Sequence, residues 1–440
     1  MTEGKSKMNV IQLTILTAIN MMGSGIIMLP ANLAQVGTIS ILSWLITGGG
    51  SMALAYAFAK AGMYSRKSGG MGGYAEYAFG KSGSFMANYT YGVSLLIANV
   101  AIAISVVGYA SVFLGAKLNP VQVALWTVIV LWLATILNFK GSKTSGKIGA
   151  FTIWGVIIPV VVLSVIGWFW FSGKLYINSW NVNHLPFFPA VGKSIAITLW
   201  AFLGLESACV NMDAVENPEK NVPIAVLGGT IGVGIIYIIS TNLIAGIVPN
   251  AELAKSNAPF GLAFSYMLGP IAGKVVMALM VISCFGSLFG WQFTIAELFR
   301  SSSCVGYFPK IFSKTTRSNV PIIGMVIITF IQTLFALMTI SPTLSKQFNA
   351  LVNLAVVTNL IPYLLSMAAL DTIQRSAGIF DNKRIVTNII AIIASIYSFY
   401  ALYSSGFTAM MGGAILTFAG WTLYGLIANR FNSDETLINE

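Results

Sequence analysis

The chain has 440 residues, of which 56% are hydrophobic and only 8% are charged, and its mean hydropathy is +0.82. A soluble globule of this length would need far more polar surface, so the composition excludes one and predicts a polytopic membrane protein. The net charge of +11 does not indicate a nucleic-acid partner, because the basic residues form no run and no stripe interleaved with aromatics.

Apolar segments long enough to cross about 30 Å of hydrocarbon as helices recur along the whole chain. We therefore predict an all-α integral membrane protein in the lipid bilayer. Its twelve transmembrane helices are predicted at about 9–32, 38–62, 84–115, 120–139, 148–171, 190–212, 222–247, 271–299, 320–340, 348–371, 384–404 and 409–428. No composition shift or Pro/Ser-rich linker divides them, so residues 1–440 are interpreted as a single transmembrane domain with short tails.

The basic residues indicate the orientation of the helices. With the N-terminus in the cytoplasm, 18 of the 24 Lys and Arg residues fall on the inner side and 6 on the outer side. This bias follows the positive-inside rule, so both termini are predicted to be cytoplasmic. The first eight residues lead directly into a long span without a small-residue cleavage pattern, which predicts no removable signal peptide.

Cysteine and histidine indicate little chemistry. Cys209, Cys284 and Cys304 are isolated residues without metal or redox spacing, so we predict no disulfide, no metal and no cofactor. His184, the only histidine, falls in the predicted outer loop between spans 5 and 6. Its position excludes a histidine proton relay within the membrane.

The first and sixth spans are each interrupted near mid-membrane. Span 1 contains NMMGSGI at 20–26 and span 6 contains GLES at 204–207, and glycine and serine weaken a helix at both places. Interrupted segments at matching places in two halves predict an inverted-repeat transporter with its site at the bilayer midplane. We interpret about 9–171 and 190–371 as the repeats and 384–428 as additional helices. Close helix packing at small residues is the alternative for span 1.

Glu206 is the strongest candidate for a functional residue, because it lies within an apolar run. A charge at the bilayer centre costs roughly 2.5–3.5 kcal/mol, so such residues usually face a cavity and carry function. Trp200, six residues earlier, would supply a π-face. An anion beside an aromatic ring suits an organic cation. A structural carboxylate paired with Lys or Arg is the alternative.

The helix breaks would supply backbone groups. Amides of a half-helix beginning near Ser24 and Gly25 suit a carboxylate, and the freed carbonyls near Asn20 and Met21, before Gly23, suit an ammonium. An α-amino acid carries both groups, whereas a diamine must rely on carbonyls, the intramembrane carboxylate and aromatic faces. The candidate aromatic walls are Trp200, Trp291, Tyr91 and Tyr424. Simple packing is the alternative for each of them.

Several stretches resemble a known family. They are GSGI at 23–26, WAFLGLES at 200–207, NPEKNVP at 217–223, SGGMGGYAEYAFG at 68–80 and KVVMALMVISCFGSLFGWQ at 274–292. Together they resemble the amino acid–polyamine–organocation superfamily, and more narrowly its basic amino acid/polyamine antiporters. The resemblance runs from about residue 8 to residue 430 and implies a twelve-helix fold with a five-plus-five inverted repeat.

The resemblance also implies roles for particular residues. Glu206 matches the binding and coupling carboxylate of that family, Trp200 its outer gating aromatic, and Trp291 the aromatic one layer deeper. Tyr363 falls where the family places an inner gating tyrosine, and Asn99 matches a polar substrate contact.

Three residues are assigned to a cytoplasmic vestibule. Arg300 and Tyr307 fall in the segment after span 8. Glu76 stands where related exchangers have a small or aromatic residue, which favours a polycation at the inner mouth. A solvated carboxylate on an amphipathic loop helix is the alternative.

As a function, the resemblance implies an exchanger of the bacterial cytoplasmic (inner) membrane that releases putrescine and takes up ornithine by alternating access. Proton-coupled putrescine uptake through Glu206, and a homo-oligomeric assembly, are further expectations. Exchange of lysine for cadaverine, or of arginine for agmatine, remains open, and so does a channel. An intramembrane enzyme would need a second catalytic group near Glu206, and an ATP-driven pump would need a Gly-rich phosphate loop; the sequence offers neither.

Overall fold

The computed structural model describes residues 8–23, 25–141, 148–206, 215–338, 340–341 and 343–431. Regular structure in these ranges is helical, apart from one isolated parallel bridge between Met8 and Val215. The α-helices are α1 (Val10–Met22), α2 (Leu29–Ala34), α3 (Ser40–Tyr64), α4 (Met71–Phe113), α5 (Pro120–Asn138), α6 (Trp154–Ile166), α7 (Gly173–Asn178), α8 (Phe187–Gly192), α9 (Ile195–Trp200), α10 (Pro218–Ile247), α11 (Asn250–Leu253), α12 (Pro259–Leu268), α13 (Pro270–Val305), α14 (Ile322–Met338), α15 (Leu344–Ser376), α16 (Asn382–Ser404) and α17 (Phe407–Ile427).

Within the described ranges, nine helices are long and apolar enough to cross a membrane. The described helices also overlap each of the twelve predicted spans. The three spans outside the nine are the first and sixth, which are divided into short pieces, and the ninth, which corresponds to the 17-residue α14. The prediction of an all-α, multi-pass membrane protein is confirmed.

Helix α4 begins earlier than the sequence predicts for span 3. It starts at Met71 rather than near residue 84, and it carries a kink at Gly80, where φ is +61°. Only glycine adopts this conformation without strain, so Gly80 allows the segment that carries Glu76 to join the spanning helix.

The break in span 1 is longer than expected. Helix α1 ends at Met22 and regular helix resumes only at Leu29, whereas the sequence predicted a restart near Ser24 and Gly25. Ser24 itself lies outside the described residues. The chain between the two helices needs hydrogen-bond partners other than its own helix, because lipid offers none at membrane depth.

Two buried tyrosines provide these partners. The Tyr237 hydroxyl donates to the Met21 carbonyl at 2.8 Å, and the Tyr109 hydroxyl donates to the Ile27 carbonyl at 3.0 Å. Tyr237 therefore uses one of the two lone pairs of the Met21 carbonyl, and the binding of an ammonium there stays a prediction.

The break in span 6 packs directly against the break in span 1. Helix α9 ends at Trp200 and the chain continues as short turns to Gly204, whose φ is +104°. A Cβ on Gly204 would lie 2.9 Å from the Asn20 carbonyl oxygen, and one on Gly25 would lie 3.2 Å from the Ala201 Cα. Glycine at both positions therefore lets the two backbones approach.

Helices α4, α13 and α15 form the scaffold around these breaks. The most extensive helix–helix packing in the described residues is between α15 and α4, followed by that between α13 and α4. On another side, Trp44, Phe202 and Tyr237 pack with ring centroids 5.7–6.1 Å apart. The unwound segments are thus enclosed by long helices that can position side chains on them.

Candidate functional site

Glu206 lies at the end of the described part of the break in span 6 and is 4% exposed. Its carboxylate accepts three hydrogen bonds from other described residues. The Tyr91 hydroxyl on α4 donates to Oε1 at 3.1 Å, the Gly204 amide donates to Oε2 at 3.0 Å, and the Tyr363 hydroxyl on α15 also donates to Oε2. Three separate elements thus hold one carboxylate in a defined orientation.

None of these three donors carries a positive charge. The ion pairs found among the described residues involve Glu76, Glu297 and Asp371, and none includes Glu206. A structural carboxylate paired with Lys or Arg is therefore not what the described residues show. Neutral donors orient a buried carboxylate and leave its charge uncompensated, so a cationic group would complete the site.

A central cavity of about 50 Å³ lies beside Glu206. It brings together eight of the predicted site residues, namely Asn20, Gly23, Gly25, Tyr91, Asn99, Trp200, Glu206 and Trp291. These residues come from both helix breaks and from α4 and α13. The wall therefore combines a carboxylate, two indole rings and the unwound backbone, which are groups suited to an organic cation.

A much larger cavity of about 1390 Å³, here called the vestibule, adjoins the central cavity. Asn20, Gly23, Tyr91, Glu206 and Trp291 line both cavities. The vestibule extends to the loop that follows α3, on the face that the charge pattern assigns to the cytoplasm. Glu206 is therefore approached from that face.

The opposite face is closed over the central cavity. Trp200 is 6% exposed and meets Phe348 of α15 edge to face, with ring centroids 6.4 Å apart. Further out, Gln35 Nε2 donates to Ser345 Oγ at 2.8 Å, and Ser345 Oγ donates to Asn32 Oδ1 at 2.8 Å. Asn32, Gln35 and Ser345, here called the outer latch, tie the segment after the first break to α15.

The two candidate tyrosines have different surroundings from those expected. Tyr91 lines the cavity, but its hydroxyl is directed to Glu206. Tyr363 is fully buried, packs on Phe58 with ring centroids 4.8 Å apart, and also bonds Glu206. Both residues therefore lie at the level of the carboxylate and orient it.

Tyr424 was predicted to be an aromatic wall, and the structure places it elsewhere. It lines neither cavity and instead stacks on Phe431 and lies against Phe85, with centroid distances of 6.4 and 5.3 Å. The reason is that α17 packs on the outer side of α4 and α15, away from the helix breaks.

The vestibule assignments are met in part. Tyr307 and Glu76 line it, whereas Arg300 does not; its neighbour Glu297 does, and the two form an ion pair at 2.7 Å. Residues three apart are neighbours on the surface of a helix, which allows Arg300 to pair with Glu297. Arg300 therefore contacts the wall of the vestibule through Glu297.

The prediction that Glu76 favours a polycation at the inner mouth gains no support from its surroundings. Its Oε1 lies 2.9 Å from Lys67 Nζ and 2.9 Å from Lys81 Nζ. The protein already supplies two ammonium groups to this carboxylate, so a polycation gains little by binding there.

Sequence reasoning missed two polar side chains near the cavity. Asn359 of α15 lines it, and Gln292 of α13 accepts a hydrogen bond from Asn99 Nδ2 at 2.9 Å. Both residues are 2% exposed or less. A buried polar residue in an apolar span was the available signal, because such residues need a partner.

Comparisons with known proteins agree with this geometry. A family model described as amino acid permease matches residues 8–427. The putrescine transporter PotE of Escherichia coli K12 is 68% identical over 432 residues, covering 98% of both chains. The putrescine transporter PotE of Haemophilus influenzae is 64% identical over 432 residues, covering 98% of this chain and 99% of that one.

A more distant relative is named for different substrates. The cadaverine/lysine antiporter of Escherichia coli K12 is 33% identical over 420 residues, covering 94% of this chain and 91% of the relative. Residues 8–427, which the family model matches, include both helix breaks and the long helices around them. Because the family model matches nearly the whole chain, including the segments around the central cavity, the chain belongs to the amino acid permease family.

Proposed function

We propose that this protein is a polyamine transporter of the bacterial cytoplasmic membrane that exchanges internal putrescine for external ornithine by alternating access. The observation that carries the proposal is Glu206, a buried carboxylate whose donors among the described residues are all neutral, where the central cavity meets the vestibule. An ammonium group would supply the missing positive charge. Putrescine and ornithine each carry an ammonium at the end of a short chain.

The asymmetry of the two faces supports alternating access. The vestibule reaches Glu206 from one side, while Trp200 and the outer latch close the other. We propose a five-plus-five inverted repeat in which the two breaks form the shared site and the surrounding helices rock around it. The described state would then be the one that faces the cytoplasm.

The exchange is electrogenic in this proposal. Divalent putrescine leaving against monovalent ornithine moves positive charge outward, and a membrane that is negative inside opposes this by about 2.3 kcal/mol per 100 mV. A steep putrescine gradient must therefore drive export. In a second mode, putrescine would enter together with a proton, and Glu206 is the group at the cavity that could carry it.

The substrate pair rests on the relatives. The two putrescine transporters are 68% and 64% identical to this chain, whereas the cadaverine/lysine antiporter is 33% identical. One methylene is worth only about 1–3 kcal/mol in a binding site, so lysine should still exchange, but more weakly.

The test uses proteoliposomes loaded with ornithine, lysine or arginine and supplied with external labelled putrescine. Putrescine should accumulate fastest against ornithine. Faster exchange of lysine with cadaverine, or of arginine with agmatine, would refute the substrate pair and retain the antiporter. Full-rate putrescine entry into empty vesicles without a proton gradient would refute obligatory exchange and favour a channel.

The orientation can be tested separately. Both termini are proposed to be cytoplasmic, and the segment 172–189 external, on the basis of the charge pattern. Reporter fusions at the C-terminus and in 172–189 should report opposite sides of the membrane. Two reporters on the same side would contradict the odd number of spans, seven, that the sequence predicts between 172–189 and the C-terminus.

A further inference from the structure

Four basic side chains lie where α5 ends and α14 begins. Lys310, Lys314 and Arg317 belong to the loop 306–321 between α13 and α14, and Lys140 follows α5; all four are exposed. Neither this loop nor α5 or α14 contains an acidic residue. The ion pairs found in the described ranges include none of the four. These residues, here called the basic patch, present positive charge that the described part of the protein does not compensate.

The loop that carries three of these residues is fixed to the helices. Phe312 is buried and packs on Phe299 of α13, with ring centroids 5.1 Å apart. Further along, the Thr316 amide donates to the Val320 carbonyl at 3.0 Å, and the Asn319 amide donates to the Thr316 carbonyl at 2.9 Å. Apolar packing and a closed turn therefore hold the backbone on both sides of Lys314.

The end of α5 brings Lys140 to the same place. A Cβ on the next residue, Gly141, would lie 3.2 Å from Val320 Cγ2. On the other side of Lys140, Phe139 packs against the apolar cluster that contains Phe312 and Val320. The end of α5 thus lies against the loop, and Lys140 adds a fourth charge to the patch.

Helices α5 and α14 form an apolar surface beside the basic patch. They are joined by a 2.6 Å hydrogen bond between the Thr135 and Thr329 hydroxyls, and Trp132 Nε1 donates to Thr333 Oγ1 at 3.1 Å. Both helices expose large apolar side chains along their length, with exposed fractions of 37–58%, namely Leu133, Ile136, Ile323, Val326 and Phe330. In a membrane protein, such side chains contact acyl chains. Positive charge and acyl-chain contacts therefore adjoin at one end of this helix pair.

This combination fits a phospholipid with a negative headgroup. Lysine and arginine at a membrane surface attract anionic lipids, and an arginine can bond two phosphate oxygens at once. Ile311 is 40% exposed between Lys310 and Lys314, so an apolar side chain accompanies the charges. A free phosphate ion would use the charges alone, whereas a lipid would use both the charges and the apolar surface.

We propose that the basic patch and the apolar surface of α5 and α14 bind one anionic phospholipid. Its phosphate lies on Lys140, Lys310, Lys314 and Arg317, and its acyl chains lie along the two helices. This inference rests on the proposed orientation for one point only, which is that the lipid belongs to the cytoplasmic leaflet.

The experiment measures lipid binding at this position in nanodiscs of phosphatidylcholine. With the native cysteines replaced, Phe330→Cys carries a fluorophore; it lies eight residues into α14, about 12 Å from the helix start and level with the middle of an acyl chain. Quenching by brominated phosphatidylglycerol is compared with quenching by brominated phosphatidylcholine. The ratio of the two association constants should be at least tenfold, and it should fall as salt rises.

Substitutions in the patch should lower this ratio. Lys314→Gln should reduce it by up to about fivefold, as expected for one basic residue at a membrane surface, whereas Lys314→Arg should retain it. Lys117→Gln is the matched control, because Lys117 is also exposed and unpaired in the described ranges but precedes α5, at the opposite end from Lys140. It should leave the ratio unchanged.

Three outcomes would overturn the proposal. A ratio near one in the unaltered patch would mean ordinary acyl contact without headgroup recognition, and an equal fall in Lys117→Gln would mean a general effect of net charge. Displacement of the lipid by inorganic phosphate, at constant ionic strength, would assign the patch to a free anion. Both leaflets of the nanodisc have the same composition, so a reversed orientation would change only the leaflet. Absence of putrescine transport would overturn the proposed function without affecting this result.

Discussion

Glu206 and Glu76 are the same chemical group in two opposite situations. Glu206 lies at the helix breaks, is 4% exposed and is held by two tyrosine hydroxyls and one backbone amide. Glu76 lies in the vestibule wall, has a side chain that is 19% exposed, and is bonded to two lysine ammonium groups. One carboxylate lacks a cation among the described residues, and the other has two.

The difference shows how the protein can direct a cation to the centre. A charge that is already compensated offers little to an incoming ammonium, whereas an oriented but uncompensated charge in a poorly solvated cavity offers a great deal. The vestibule therefore need not bind the substrate tightly, and the binding free energy is concentrated at the helix breaks. Four predictions test this contrast.

The largest effect is expected for Glu206→Gln. The amide keeps the volume but removes the charge, so transport in both directions should fall by about a hundredfold or more, corresponding to about 3 kcal/mol for a buried charge pair. Membrane insertion should remain near normal. The measurement is putrescine exchange in proteoliposomes, normalised to the amount of inserted carrier. Glu206→Asp should act weakly, and near-native exchange by Glu206→Gln would remove this residue from the mechanism.

Substitution of Trp200 should have a smaller effect on exchange, and the size of that effect should depend on whether the new side chain has an aromatic ring. A cation–π contact is worth about 0.5–2 kcal/mol, so Trp200→Leu should lower exchange roughly tenfold, whereas Trp200→Phe should keep partial function. Both variants bury a side chain against Phe348, so exchange rates of the two separate ring chemistry from packing. Equal activity of the Phe and Leu variants would support packing alone.

The outer latch should control how often the closed face opens. Ser345→Ala removes the hydroxyl shared by Gln35 and Asn32, and neutral hydrogen bonds are worth about 0.5–1.5 kcal/mol each. A cysteine introduced at Ala98 of the cavity, with the native cysteines replaced, should react severalfold faster with an impermeant reagent added outside.

Ser395→Ala is the control for the latch, because Ser395 bonds only the Ala391 carbonyl of its own helix among the described residues. It should leave the labelling rate unchanged. An unchanged rate in Ser345→Ala would show that the latch does not limit opening.

Glu76→Gln should have the smallest effect. Partly exposed ion pairs are worth about 0.2–1 kcal/mol each, so exchange should change by less than about fivefold. The same normalised exchange assay checks this, and raised salt should reduce the difference further. A loss as large as that of Glu206→Gln would mean that the vestibule carboxylate binds substrate directly, and the contrast between the two would be lost.

Local sequence was sufficient for the membrane class, the approximate spans and the two breaks. These features depend on apolar length and on glycine and serine within one segment, which act over a few residues. Of the eight predicted residues that line the central cavity, seven were named from residue type and the helix breaks, and Asn99 was named from the resemblance to the antiporter family. The error at Tyr424 concerns a contact with a distant part of the chain, the ring of Phe85.

The sequence by itself determined that a carboxylate lies in an interrupted membrane helix, because a buried charge and a weakened helix are both visible in one short stretch. Only the tertiary structure decided what surrounds that carboxylate. Tyr91 and Tyr363 are 115 and 157 residues away in sequence, and they meet Glu206 because α4 and α15 pack around the breaks. The packing of distant helices, which no local pattern encodes, leaves Glu206 with neutral donors, whereas the two lysines that pair with Glu76 are only 9 and 5 residues from it in sequence.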